Sequence, residues 1–180
     1  MPSSLLILRP HDDAPVSLAH EIQTLLHLVW PPAPSAQVAS REEIEANWRE
    51  RSEWHVVRCD EAGRVLAHAG MFRREISTAS GPLNVGALGG VCVHPNLRGR
   101  GWGEEVVLAA MALLPEVGAS VSLFQTGVPT FYEKLGGRAV DTRFHNGADP
   151  SNPFWEPFAV IWPREFSWPN GDMDLNGPGY

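Results

Sequence analysis

The stretch from Asn84 to Leu114 constrains the fold of this chain more than any other. Asn84 to His94 alternates, placing Val85, Ala87, Gly89, Val91 and Val93 on one face at a period of two, and Pro95 ends the run. From Arg100 onward Val107, Ala110, Met111 and Leu114 recur at helical spacing until Pro115 closes the segment. Between the two lies His94-Pro-Asn-Leu-Arg-Gly-Arg-Gly-Trp-Gly103, where Arg98 and Arg100 stand among Gly99, Gly101 and Gly103. A strand, a glycine-rich turn and a helix start in succession aim free backbone N–H groups and the positive end of the helix dipole at one point, an arrangement that holds phosphate. The glycines let a ligand approach the backbone, and the two guanidinium groups add forked donors for phosphate oxygens. The same composition also fits a tight turn with solvated arginines. No Gly-Lys-Ser/Thr follows, and Gly-x-Gly-x-x-Gly is absent, so neither nucleotide-binding signature applies.

Elements of both kinds flank this unit. Ser4 to Arg9 reads as a strand, and Val16 to Val29 as a helix with Leu18, Ile22, Leu25 and Val29 on one face, stopped by Trp30-Pro-Pro. Ser40 to Arg51 reads as a second helix with Glu42 and Glu43 in its first turn. Trp54 to Asp60 and Arg64 to Glu75 are strands joined by a hairpin at Glu61-Ala-Gly63. Ser120 to Gln125 is a further strand. Pro129 to Leu135 is a short helix capped by Gly136-Gly137, and Arg138 to Phe144 is another strand. The last forty or so residues are punctuated by Pro150, Pro153, Pro157, Pro163 and Pro169 around Trp155, Trp162 and Trp168, with one strand-like run at Phe158 to Trp162. Aromatic residues at this density imply an ordered tail wrapped on the same domain.

A length of 180 residues with 43% hydrophobic content suits one domain with a sizeable core. The net charge of −7 argues against a broad electrostatic hold on nucleic acid or anionic membrane. No run approaches the roughly 20 apolar residues of a membrane span, and Leu5 to Leu8 is too short for a signal peptide, so the expected location is the cytoplasm. Cys59 and Cys92 sit in apolar runs without metal-ligand spacing and read as buried free thiols, with no metal site.

Two stretches together carry a resemblance. Arg98-Gly-Arg-Gly-Trp-Gly103, preceded by a strand ending Val91-Cys-Val-His-Pro95, is similar to the Arg/Gln-x-x-Gly-x-Gly/Ala signature of the GCN5-related N-acetyltransferases (GNAT). Val128-Pro-Thr-Phe-Tyr-Glu-Lys-Leu-Gly-Gly137 resembles the second recurring stretch of that family. The resemblance covers about residues 4–144, leaving 145–180 as a C-terminal, substrate-side extension of a single domain, 1–180. It implies an α/β fold with a central mixed, mostly antiparallel sheet flanked by helices and followed by the ordered Trp/Pro-rich tail. It also implies acetyl-coenzyme A as cosubstrate, with its pyrophosphate on Arg98, Gly99, Arg100, Gly101, Trp102 and Gly103. The pantetheine arm would pair with the main chain of Val91, Cys92 and Val93, past a bulge at Gly89 and Gly90.

Within the resemblance, Tyr132 matches the general acid that protonates the departing thiolate, because a phenol stays protonated at neutral pH. Its alternative is a ring packed in the core beside Phe131. The strand from Val85 to Val93 carries no ionisable residue except Cys92, so a base on it is not expected; Glu75, His145, Asp172, Asp174 or a water chain remain candidates. His94 reads as a polar loop residue. The acceptor is expected to be a small-molecule amine. The run Trp168-Pro-Asn-Gly-Asp172-Met-Asp174 is similar to the carboxyl terminus of aminoglycoside 2′-N-acetyltransferases, which makes Trp30, Trp168, Asp172 and Asp174 candidates for holding a cationic amino sugar. The alternative is that these tryptophans pin the tail and the aspartates are solvated. A peptide amino terminus, a polyamine, an amino acid, or a domain that senses acyl-coenzyme A without turnover are the other readings. A homodimer is compatible with all of them.

Overall fold

The structure is a computed structural model and describes residues 3–180. Its contacts gather into two compact units, one comprising the described residues up to Gly70 with Gly90–Ala110, the other Met71–Gly89 with Met111–Tyr180. Two long strands, β3 (Val65–Thr78) and β4 (Gly81–Val93), contribute residues to both.

In the first unit β1 (Ser3–Leu8) pairs antiparallel with β2 (Trp54–Asp60), from Ser3↔Asp60 to Leu8↔His55, and the strand order continues through β3 to β4. The β2–β3 turn is held by Asp60, whose Oδ1 accepts from the Ala62 and Arg64 N–H groups at 3.0 Å each. Helix α1 (Val16–Val29) follows Pro15 and buries Leu18, Ala19, Ile22 and Leu25 against Leu8, Val57, Cys59 and Cys92. Helix α2 (Arg41–Arg49) starts with a reciprocal cap. The Ser40 hydroxyl accepts from the Glu43 N–H at 3.2 Å while the Glu43 carboxylate accepts from the Ser40 N–H at 2.7 Å. It buries only Trp48, whose indole N–H donates to the Ala14 carbonyl. Helix α3 (Trp102–Met111) follows the glycine turn.

In the second unit the strand order is β3, β4, β5 (Ser122–Thr126), β8 (Phe158–Trp162) and β6 (Arg138–Val140), and β9 (Met173–Asp174) joins both β3 and β7 (Phe144–His145). Pairs β4–β5 and β7–β9 are parallel; β5–β8, β6–β8 and β3–β9 are antiparallel. Short helices α4 (Leu114–Val117) and α5 (Pro129–Lys134) connect them. The chain therefore has the expected α/β fold, a mixed and mostly antiparallel sheet with helices.

Four details differ from the sequence reading. First, β4 is not buried on one face alone: Val85 to Leu88 are all buried, whereas further on Cys92 is buried and Val91 and Val93 are only half-buried. Between the two stretches Gly90 takes a φ of +59°, outside extended strand geometry. Second, Pro115 does not end the helical run but lies in the first turn of a new one, α4, where a missing N–H leaves no helical bond unmade. Third, Arg138 to Phe144 is two strands, since β6 pairs with β8 and β7 pairs with β9. Fourth, the tail is built into the sheet. All of β8 pairs with β5, from Ser122↔Trp162 to Thr126↔Phe158, and Met173 and Leu175 are wholly buried in the second core. Not every tail aromatic is covered, for Trp155 is 71% exposed.

Candidate active site

The glycine turn grows out of the end of β4. His94 caps a short 3₁₀ turn, Pro95–Leu97, by accepting the Asn96 N–H on Nδ1 at 3.3 Å, so its ring shapes the loop. Beyond it Gly99 and Gly101 take φ of +78° and +79°, the left-handed region that side-chain-bearing residues enter at a cost. A Cβ added at either position meets no atom within 4 Å, so the space above both α-carbons is open. The turn runs into α3, whose first bond is Glu105 N–H to the Gly101 carbonyl at 3.0 Å and whose earlier N–H groups have no partner within the helix. Arg98 and Arg100 are exposed and make no ion pair among the described residues; the Arg100 guanidinium lies over the Trp102 ring at 5.5 Å. The arrangement can bind an anion by backbone donors, helix dipole and two guanidinium groups together.

One carboxylate at the start of this helix is neutralised from within the sheet. Arg58 on β2 grips Glu105 through two hydrogen bonds, Nε to Oε2 at 2.7 Å and Nη2 to Oε1 at 2.5 Å, and lies over the Trp102 ring at 5.4 Å. An anion beside the turn thus meets a paired Glu105. Sequence reasoning did not single out Arg58; its only signal is a lone cation inside the apolar run Trp54 to Cys59.

Upstream, Val91 and Val93 are half-buried and Cys92 is buried. Burial pushes the Cys92 thiol up to about 12 despite Arg98, so it stays protonated and is a poor nucleophile. Cys59 and Cys92 are both free thiols. Among the described residues no group of three or more His, Cys, Asp or Glu is placed to hold a metal ion, and no helix is long and apolar enough to cross a membrane.

Two histidines that the sequence did not flag lie beside the same strand. The His68 Nδ1 bonds the Gly90 carbonyl at 2.8 Å, and the His55 Nδ1 stands 3.0 Å from the His68 Nε2, with both rings buried. Burial lowers both imidazoles, His55 to about 3 and His68 to about 4; Arg51 reinforces the shift at His55, and Glu53, itself raised by burial, faces the His55 Nε2 at 4.0 Å. A folded value below the unfolded 6.5 means that the unfolded chain binds more protons between pH 6.5 and about 4. The stability from this pair is complete above that window and is lost as pH falls through it. Denaturation midpoints should therefore fall from pH 6.5 to 4.5 more steeply in the wild type than in His68→Gln, and equal slopes would show that the pair titrates normally.

Tyr132 lies in the second unit, on α5. Its ring packs on Phe124 at 4.6 Å and on Phe131 at 4.9 Å, and burial pushes its phenol up to about 12. The helix ends in a Schellman motif: the Gly137 N–H reaches the Tyr132 carbonyl at 2.9 Å and the Gly136 N–H reaches Glu133 at 3.2 Å.

The residues singled out for the amine have different settings. Trp30 caps α1 and is 52% exposed. The Trp168 indole N–H donates to the Thr142 hydroxyl at 2.9 Å, and the ring lines a polar cavity of about 250 Å³ with Asp141, Thr142 and Asn170. Asp172 is exposed, 3.7 Å from Arg143. The Asp174 carboxylate accepts from the N–H groups of Gly147 and Asn176 at 3.0 and 2.8 Å, bonds that hold it well below the usual carboxylate range and tie down the tail. His145 bonds the Gly147 carbonyl at 3.1 Å, and Glu75 is exposed on β3.

The family described as acetyltransferase (GNAT) domain matches residues 16–139. No curated protein matches the chain. Among solved structures, an acetyltransferase from Trypanosoma brucei is 25% identical with a TM-score of 0.61 over 78% of this chain and 95% of its own. A GNAT family N-acetyltransferase from Escherichia coli, solved in complex with CoA, is 17% identical with a TM-score of 0.63 over 97% and 89%. Glucosamine-6-phosphate N-acetyltransferase from Arabidopsis thaliana is 19% identical with a TM-score of 0.55 over 74% and 90%. With a glycine turn at a helix start and a family match over most of its length, the chain belongs to the GNAT family and is an acetyl-CoA-dependent N-acetyltransferase.

Proposed function

We propose that the chain, acting as one domain, moves the acetyl group of acetyl-CoA to a primary amine on a small cationic molecule, with an aminoglycoside as preferred acceptor. The observation that carries the coenzyme half is the left-handed pair Gly99 and Gly101 at the start of α3, with open space above both α-carbons and the exposed guanidinium groups of Arg98 and Arg100 beside it. In this reading Arg98 to Gly103 hold the pyrophosphate, the main chain of Val91 to Val93 holds the pantetheine arm, and Tyr132 returns a proton to the thiolate. The enzyme works in the cytoplasm on a small molecule, as a monomer or a homodimer, without metal, nucleic acid or membrane.

The acceptor half is supported by the net charge of −7, the exposed Trp30 and the exposed carboxylate of Asp172. Trp168 and Asp174 would act at one remove, since their polar atoms hold the tail. That use of Asp174 favours keeping the wider reading, a polyamine, amino acid or peptide amino terminus, beside the aminoglycoside.

Deleting residues 172–180 would strip Met173 and Leu175 from the core, so a point substitution is the cleaner probe. Thiol release from acetyl-CoA with a panel of aminoglycosides, polyamines, amino acids and peptides identifies the acceptor. With an aminoglycoside, Asp172→Asn should raise KM by about 3-fold with coenzyme affinity intact, the scale of one exposed charge contact. Full-rate acetylation of a peptide and none of any aminoglycoside would reject the preferred acceptor and leave the amine acetyltransferase.

A further inference from the structure

The histidine pair lies on the β3 side of β4, across the strand from the edge that the coenzyme arm would use. The His94 N–H donates to the Leu66 carbonyl at 2.8 Å, so of the main-chain groups of His94 the N–H faces β3, while the carbonyl accepts from Leu97. Strand alternation turns those of Cys92 the same way and those of Val91 and Val93 to the opposite edge. Gly90 interrupts this pattern with its φ of +59°, and its carbonyl is captured by a side chain, the His68 Nδ1 at 2.8 Å. A carbonyl oxygen can only accept, so Nδ1 carries the proton and the neutral ring presents a bare Nε2. The His55 Nδ1 donates to that Nε2 at 3.0 Å, which locks the tautomer. Packing fixes the rings as well. Trp48 lies 5.3 Å from His55, and a Cβ added at Gly90 would come within 3.2 Å of the His68 ring and 3.4 Å of Leu26. Because the trans peptide is planar, holding the Gly90 carbonyl also sets the Val91 N–H, which points the other way.

We infer that His68, held in one tautomer by His55, is a positioning residue that fixes the Gly90–Val91 peptide and so presents the Val91–Val93 edge to the acylated arm of acetyl-CoA. The inference rests on the reading above that this edge receives the arm. It assigns the pair no proton transfer, since both nitrogens of His68 are already engaged.

Two substitutions separate the two bonds of His68. Asparagine places its amide nitrogen near the position of Nδ1 and keeps the bond to Gly90; glutamine places its amide near Nε2, where the oxygen can accept from His55, and keeps only that contact. Calorimetry with acetyl-CoA and with ADP, which carries a pyrophosphate without the arm, reads the outcome in variants whose near-ultraviolet circular dichroism matches the wild type. His68→Gln should lose about 5-fold in acetyl-CoA affinity with ADP affinity unchanged, while His68→Asn stays within about twofold of the wild type. Wild-type acetyl-CoA affinity in His68→Gln, equal losses in the two variants, or a parallel loss of ADP would overturn the positioning role. Should His68→Gln fail to fold, His55→Leu carries the test: freeing the tautomer should cost about 3-fold in acetyl-CoA affinity, and no change would reject the role. A wild type that binds neither ligand would instead remove the coenzyme reading itself.

Discussion

Replacing Tyr132 by phenylalanine is expected to lower turnover by about 10²-fold, the lower range for loss of a general acid, with acetyl-CoA affinity unchanged. The ring packs between Phe124 and Phe131 and fills the same space in the variant, so the fold should tolerate the change. What is lost is one proton. Burial holds the phenol at about 12, so it stays protonated throughout the neutral range and suits a donor rather than a base. Thiol release and coenzyme binding, measured on the same preparation, check the split. Wild-type turnover in Tyr132→Phe would make Tyr132 a core residue.

Gly101→Val should weaken acetyl-CoA binding at least ~10-fold, about 1.4 kcal/mol. Two effects act together. Valine resists the left-handed conformation that Gly101 adopts at φ +79°, and its methyl groups would occupy the open space above the turn. The turn is exposed, so the folded protein should survive with a modest loss of thermal stability. Unchanged affinity by calorimetry in the folded variant would remove the phosphate-loop reading.

How far each feature could be read in advance follows from how local it is. Helix α1 was legible to its ends because Pro15 and Trp30-Pro-Pro bound a run with clear helical spacing. The turn from Arg98 to Gly103 was legible for the same reason: strand, glycines and helix start are neighbours in the chain. The strand at Phe158 to Trp162 could be recognised, but its place between β5 and β6 could not, because a strand's own residues do not name its partners. The burial of both faces of β4 from Val85 to Leu88 depends on what packs there, which the alternation of its own residues does not name. Arg58 and Glu105 are 47 residues apart, and the His55–His68 bond joins two strands, so neither pairing leaves a spacing that a motif could reveal. The sequence shows only the charge of Asp174, whereas its role in the fold comes from the amide groups of Gly147 and Asn176.

Acetyl transfer by this chain is read most directly by following both products of one reaction. The wild-type chain is mixed with acetyl-CoA and a panel of primary amines, and free CoA thiol and N-acetylated amine are quantified together. The two products should form in equal amounts, only with acetyl-CoA present, and at least ~10-fold more slowly in Gly101→Val at low coenzyme concentration. Tight binding of acetyl-CoA with no acetylated amine from any member of the panel would contradict it and leave a coenzyme-binding domain without transfer.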